Sequence, residues 1–269
     1  MVPSVRLAVG TSGYAYKEWK GTFYPEDCKP DGFLRYYSQQ FPTVEINNTF
    51  YRMPNERILR QWSDEVPADF TFVLKAPMRI THRSRLREVG PDVAYFLKTA
   101  SSLGSRLGPI LVQLPPNFKK DLARLTDFLQ LLPEGTRVAF EFRHASWLDD
   151  DVYAALRARD AALCIAEADP EESDLRPADV ATASWGYLRL RKVQYGEADL
   201  TAWVDRVRGR PWRDAFVFFK HEDAGTGPRL ARQFAELWDR AGAGATPARA
   251  PAREPKPEAA RERIPTRAG

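Results

Sequence analysis

Between residues 136 and 147 the chain reads Thr-Arg-Val-Ala-Phe-Glu-Phe-Arg-His-Ala-Ser-Trp. In an extended backbone Val138, Phe140 and Phe142 take one side while Ala139, Glu141 and Arg143 take the other, so an acid and a base share a face. A carboxylate beside a guanidinium, with His144 next in line, suits proton transfer on a charged substrate. The carboxylate or the imidazole would move the proton and the guanidinium would grip an anion bidentately. The run then breaks, and Leu148-Asp-Asp-Asp opens a helix whose carboxylates fit the positive end of its dipole.

Other apolar runs close in the same way. Alternation places Glu45 and Asn47, Lys75, Gln113, Glu141 and Arg143, Arg189 and Arg191, and Lys220 on one side of their strands, with Glu167 or Asp169 as a further acid. The first run ends in Thr11-Ser12 instead. A barrel serving stability alone would fill such positions with branched apolar residues, because an unpaired charge is costly to desolvate. The catalytic candidates are therefore Glu141, His144, Glu45 and Lys75, the lysine acting as a point charge or, once desolvated, as an amine nucleophile. Substrate contacts are expected from Asn47, Tyr51, His82, Gln113, Arg143, Trp147, Arg189, Arg191 and Lys220. Cations outnumber the carboxylates Glu45 and Glu141, so the expected ligand is a small anion, phosphorylated or nucleotide-like. Hydrolysis, isomerisation and lyase chemistry all stay open, and Glu141 and Arg143 would equally serve by pairing with neighbouring strand ends. His221 is expected to cap the helix after it. The loop aromatics Trp19, Phe23, Tyr24, Phe50, Tyr51 and Trp147 either stack on a ligand or pack as a cover, with packing favoured for Trp19 and Phe23.

These side chains need elements to position them. Strands are expected at 5–10, 43–47, 70–75, 110–113, from 136, and at 163–166, 187–191 and 215–220; a polar and aromatic loop follows at 47–52 and a basic loop carries His82. Helices are expected at 32–41, 56–65, 92–103, from an Asp121 cap to 131, and at 149–160, 199–207 and 229–240, with none between the sixth and seventh strands. Eight strands mostly alternating with helices imply an α/β fold, a single-domain TIM-type (β/α)8 barrel over 1–240. Residues 241–269 turn to Ala, Pro, Gly, Arg and Glu, too little apolar surface to offset chain entropy, and are expected to be a disordered tail.

The charge balance adds little for nucleic acid. Of 269 residues, 40 are Lys or Arg and 36 Asp or Glu, a net of +4 that comes mostly from the tail, so nucleic acid is a weakly supported partner. Cys28 and Cys164 sit in dissimilar contexts and imply neither a disulfide framework nor a cysteine-rich metal site. No apolar run approaches the ~20 residues of a membrane span, and a soluble, cytoplasmic protein is expected. Glu45, Glu141, Asp169, His82 and His144 could supply metal ligands, but no two stand at a diagnostic spacing and the nearby cations oppose a divalent ion. No cofactor is predicted, a divalent metal being the lesser alternative, and nothing in the sequence specifies an oligomeric state.

A set of motifs carries a family resemblance. Gly10-Thr-Ser-Gly-Tyr14, Lys17-Glu-Trp-Lys-Gly-Thr-Phe-Tyr-Pro25, Val44-Glu-Ile-Asn-Asn-Thr-Phe-Tyr-Arg52, Phe72-Val-Leu-Lys-Ala-Pro77 and Ile80-Thr-His82 come first. Leu107-Gly-Pro-Ile-Leu-Val-Gln-Leu-Pro-Pro116, Phe140-Glu-Phe-Arg-His-Ala-Ser-Trp147, Ala162-Leu-Cys-Ile-Ala166 and Tyr187-Leu-Arg189 follow in order. Over about residues 5–240 the chain resembles the YecE-like barrel family, domain of unknown function 72. The resemblance implies a TIM-type barrel and no established activity. It also looks like a distant relative of the xylose-isomerase and endonuclease barrels, from which a metal-dependent phosphoesterase using Glu45, Glu141 and a histidine follows by analogy. A non-catalytic nucleic-acid binder is the third alternative. Many members carry histidine and glycine after the seventh-strand arginine, where this chain has Arg191-Lys192, and many end the eighth strand in asparagine, where it has Lys220-His221. Both departures make the mouth more basic.

Overall fold

The computed structural model describes residues 5–52, 54–170, 175 and 179–243. Eight strands, β1 (Arg6–Ser12), β2 (Thr43–Ile46), β3 (Thr71–Lys75), β4 (Leu107–Gln113), β5 (Val138–Glu141), β6 (Ala162–Glu167), β7 (Trp185–Leu190) and β8 (Asp214–Phe219), pair in parallel in sequence order. β8 pairs back onto β1 and closes the barrel. Both faces of each strand are buried, which is why the runs read as nearly continuous apolar stretches rather than clean alternations. One set, including Val73, Leu111, Ala139, Cys164, Tyr187, Phe216 and Phe218, fills the lumen. The other, including Val44, Phe72, Val112, Phe140, Leu188 and Val217, packs outward against the helices.

The helices are α1 (Phe33–Ser38), α2 (Asn48–Tyr51), α3 (Glu56–Glu65), α4 (Gly90–Ala100), α5 (Leu122–Gln130), α6 (Asp150–Arg157), α7 (Glu197–Arg208) and α8 (Thr226–Ala243). The starts of α5 and α6 are capped as the sequence suggests. The carboxylate of Asp121 accepts from the Arg124 amide at 3.0 Å, and that of Asp149 from the Asp151 amide at 3.1 Å. Among the described residues no helix separates β6 from β7. Thr182 fastens that connection by accepting from the Leu163 amide and donating to the Ala161 carbonyl, 2.7 Å each. Gly10 sits where any Cβ would strike the Thr43 carbonyl and crowd the Tyr37 hydroxyl, so glycine lets β1 lie close to β2.

Several expectations need correction. β1 runs on through Ser12, because Thr11 and Ser12 pair with Val44 and Glu45. The expected 47–52 loop holds the one-turn helix α2, and the basic loop holds a wide helical turn at Arg79–Arg83. α8 extends three residues past the expected end of the barrel, through Ala243. The rest of the expected tail, 244–269, lies outside the described residues, as does part of the acidic connection after β6. Among the described residues no helix is long and apolar enough to cross a membrane.

Candidate functional site at the barrel mouth

Above the apolar layer of the lumen, the next inward positions carry Glu45, Lys75, Gln113, Glu141 and Arg189. Arg189 reaches across the barrel from β7. Its Nη1 donates to Glu141 Oε2 at 2.6 Å and its Nη2 to Glu45 Oε1 at 2.8 Å, with all three side chains at most 2% exposed. The Tyr187 hydroxyl donates to Glu45 Oε2 at 2.6 Å. Gln113 is level with Glu141 in the β4–β5 register, so its Nε2 donates to Glu141 Oε2 at 2.8 Å. Arg143 Nε closes the set on Glu141 Oε1 at 3.1 Å. Burial alone would raise the pKa of Glu141, but Arg189, Arg143 and Arg191, with the Gln113 hydrogen bond, hold it well below the usual carboxylate range.

Lys75 stands apart from this network. Both carboxylates are already taken, and among the described residues its amine makes no hydrogen bond or ion pair and sits over the Phe50 ring, whose centroid lies 4.0 Å from Nζ. The residue is 9% exposed. Burial, reinforced by the positive charge of Arg189, lowers its pKa from 10.5 to about 8, against the smaller opposing pull of Glu45 and Glu141. His82 packs edge-on against the same Phe50 ring at 4.8 Å, and its Nδ1 lies 2.9 Å from the Thr81 hydroxyl. Burial first, then the charges of Lys75 and Arg143, lower its pKa from 6.5 to about 4, so the imidazole is neutral at pH 7.

The remaining expected residues fall into three groups. Arg191 and Lys220 take the positions after β7 and β8, Arg191 buried and Lys220 half-buried, whereas Asn47, expected inward, lies past the end of β2 in the helical backbone that opens α2 and lines a hollow with Tyr14, Tyr16 and Trp62. His144 is engaged locally: its Nδ1 accepts from the Ser146 amide at 3.1 Å and lies 2.8 Å from the Ser146 hydroxyl, capping the turn Ala145–Trp147. Trp147 is fully buried, stacked on Phe142 at 4.8 Å and donating to the Phe118 carbonyl at 2.7 Å, so it packs rather than faces a ligand. Tyr51 lies at the other extreme, 76% exposed beside the mouth-lining Phe50. Glu167 points outward, to Lys192 at 2.9 Å and the Trp203 indole at 2.8 Å, and Asp169 accepts from the Val193 amide. His221 caps no helix; its Nε2 meets the Lys192 carbonyl at 2.5 Å. Trp19, Phe23 and Tyr24 are buried in one aromatic cluster.

Sequence reasoning gave no role to Tyr187 or Ser12. Tyr187 is two residues before Arg189 and thus inward by the same alternation. Ser12, level with Glu45 on β1, has a buried hydroxyl without a hydrogen-bond partner among the described residues. Phe50, expected either to stack on a ligand or to pack as a cover, lies over Lys75. Among the described residues no three His, Cys, Asp or Glu side chains cluster as metal ligands. Glu45 and Glu141, the most promising donors, are bridged by a guanidinium where a divalent ion would have to sit, so the donor set does not fit one.

A closed eight-stranded parallel barrel, with a buried guanidinium between two carboxylates and an unpaired amine at its strand ends, defines a TIM-type α/β barrel with a charged mouth. The chain belongs to the family described as "Protein of unknown function DUF72", whose profile matches residues 8–256, in keeping with the motif resemblance. It is 35% identical over 112 residues to the UPF0759 protein YecE of Escherichia coli, a match covering 41% of each chain. It is 26% identical over 155 residues to the UPF0759 protein YunF of Bacillus subtilis, covering 55% of this chain and 54% of that protein. The chain thus aligns with about two fifths to just over half the length of these curated relatives. Among solved structures, a DUF72 family protein from Thermotoga maritima superposes with a TM-score of 0.74 at 26% identity, covering 87% of this chain and 99% of that one. One from Enterococcus faecalis gives 0.72 at 16% identity, covering 87% and 95%, and speaks for the fold alone.

Proposed function

We propose that this protein is a cytoplasmic enzyme acting on a small anionic substrate bound at the barrel mouth, with Lys75 as its reactive group. The observation that carries the proposal is the amine left without a carboxylate among the described residues: Arg189 takes up both acids, and Lys75 is held beside them over the Phe50 ring. A lysine serving stability would be paired, because a buried unpaired charge is costly. Arg143, half-buried and reached from the rim, supplies the guanidinium for a phosphate or carboxylate, with Arg191 and Lys220 adding positive potential. Neutral His82 can accept a proton near the amine, whereas Glu141, held ionised by its arginines, fixes the geometry instead of shuttling protons. The free thiols Cys28 and Cys164 suit a reducing compartment.

The test is a ligand-induced thermal shift with inorganic phosphate, phosphorylated sugars and short carboxylic acids, repeated on Arg143→Met and Lys75→Met. Wild type should be stabilised by at least one such anion, and Arg143→Met should weaken that binding roughly tenfold, as expected for a lost charged hydrogen bond. Equal anion binding by wild type and both variants would place the anion elsewhere and end the proposal.

A further inference from the structure

The surroundings of Lys75 act against its charge more than a lysine meant to hold an anion would need. Its carboxylate neighbours are engaged by Arg189, Arg143, Gln113 and Tyr187, and burial with the nearby Arg189 charge opposes the ammonium, whereas the Phe50 ring face 4.0 Å from its nitrogen favours the charged form and fixes the side chain in place. Arginines already stand at the mouth to bind negative charge and keep that charge at any working pH. The residue keeps 9% of its surface exposed at the mouth.

We infer that Lys75 forms an imine with the carbonyl carbon of a small aldehyde or 2-oxo compound that also carries a phosphate or carboxylate, the anionic group resting on Arg143. The inference deepens the function proposed above and rests on it for the anionic arm. In the reaction the Nζ lone pair attacks the carbonyl carbon, and the carbonyl oxygen takes up a proton to give a carbinolamine. The nitrogen then gives up a proton, and the hydroxyl leaves as water with a proton returned to it. His82, neutral and packed on the same ring, is the base on that side of the mouth. One amine, one carbonyl and one net proton give one protonated imine and one water, with no oxidant or reductant needed. The lowered pKa of about 8 supports the assignment: roughly one chain in ten carries the free amine at pH 7, against fewer than about one in a thousand for an ordinary lysine.

Borohydride reduction traps such an imine as a stable secondary amine. The full chain is incubated separately with pyruvate, glycolaldehyde phosphate and acetaldehyde, reduced, and analysed by intact mass and peptide mapping. With at least one of the two anionic carbonyls, Lys75 should be modified about tenfold more than any other lysine, and which one does so distinguishes a carboxylate from a phosphate arm. The rate should rise with pH to a midpoint near 8 and then level. Lys75→Arg, which keeps the charge and length, should lose the selective adduct while holding its melting temperature. Modification spread evenly over the lysines, or a Lys75→Arg variant labelled like wild type, would overturn the inference even if anions still bind the mouth. Equal labelling of Lys75 by acetaldehyde and the anionic carbonyls would uphold the imine and overturn the anionic arm, so the two claims fail separately.

Discussion

Lys75 and His82 share the Phe50 ring, and each carries a charge state set by burial and by its cationic neighbours. Their titrations have worked-out signs. The folded pKa of Lys75, about 8, lies below its unfolded value of 10.5, so between those values the unfolded chain binds more protons and stability rises with pH. Lys75→Met should remove that rise, as read from urea midpoints at pH 7.5 and 10, whereas a wild-type-like slope in the variant would locate the titration elsewhere. For His82 the folded value is about 4 against 6.5 unfolded, so stability is lost as pH falls from 6.5 towards 4. His82→Gln should flatten that loss, and midpoints at pH 7 and 4.5 give the comparison. The charged positions were legible in the sequence because alternation within short strands fixes which side chains turn inward: Glu45, Lys75, Gln113, Glu141 and Arg189 all do. Their roles were not legible. Alternation does not say that one guanidinium occupies two carboxylates and so leaves Lys75 alone, nor that His144, a natural proton shuttle by type, uses its Nδ1 to cap a turn.

At the scale of elements, the barrel separates what holds it from what acts. On the N-terminal face Asp214 binds Arg6 and Arg137, each at 2.7 Å, tying β8 to its neighbour β1 and to the segment entering β5. Asp214 is nearly buried between two more exposed arginines, and Asp214→Asn should cost about 1–2 kcal/mol in chemical denaturation. Anion binding at the opposite mouth should be unchanged, since strand-start charges in these barrels serve stability. Asp121→Ala, removing the cap of α5, should likewise cost about 1 kcal/mol and spare the mouth. Either variant losing anion affinity as strongly as Arg143→Met would show that the two faces are coupled. The elements themselves were readable wherever local chemistry marks them, as at Asp121 and Asp149, whose side chains accept from the amides of Arg124 and Asp151. They were less readable where tertiary pairing decides. The Gly10-Thr-Ser-Gly run looks like a turn by composition, yet its Thr11 and Ser12 continue β1 because the neighbouring β2 offers them a ladder.

For the molecule as a whole, Arg189 joins parts of the barrel that no ladder connects directly. It leaves β7 and contacts Glu141 on β5 and Glu45 on β2, while Tyr187 from the same strand holds the second oxygen of Glu45. Ion networks of this kind cost heavily in desolvation, and the gain depends on every partner being present. Arg189→Met should therefore destabilise the fold by roughly 3–5 kcal/mol, because two buried carboxylates lose their common counter-charge. Arg189→Met combined with Glu45→Gln and Glu141→Gln should recover most of that loss, since the charges are then removed together. The pattern distinguishes two origins of the network. If the triple variant matches or exceeds wild type in urea denaturation yet no longer binds anions or carries a trappable imine at Lys75, the charges are kept for the mouth and not for the fold. A triple variant as unstable as Arg189→Met alone would show instead that the network is structural, and that Lys75 is unpaired as a by-product of barrel closure.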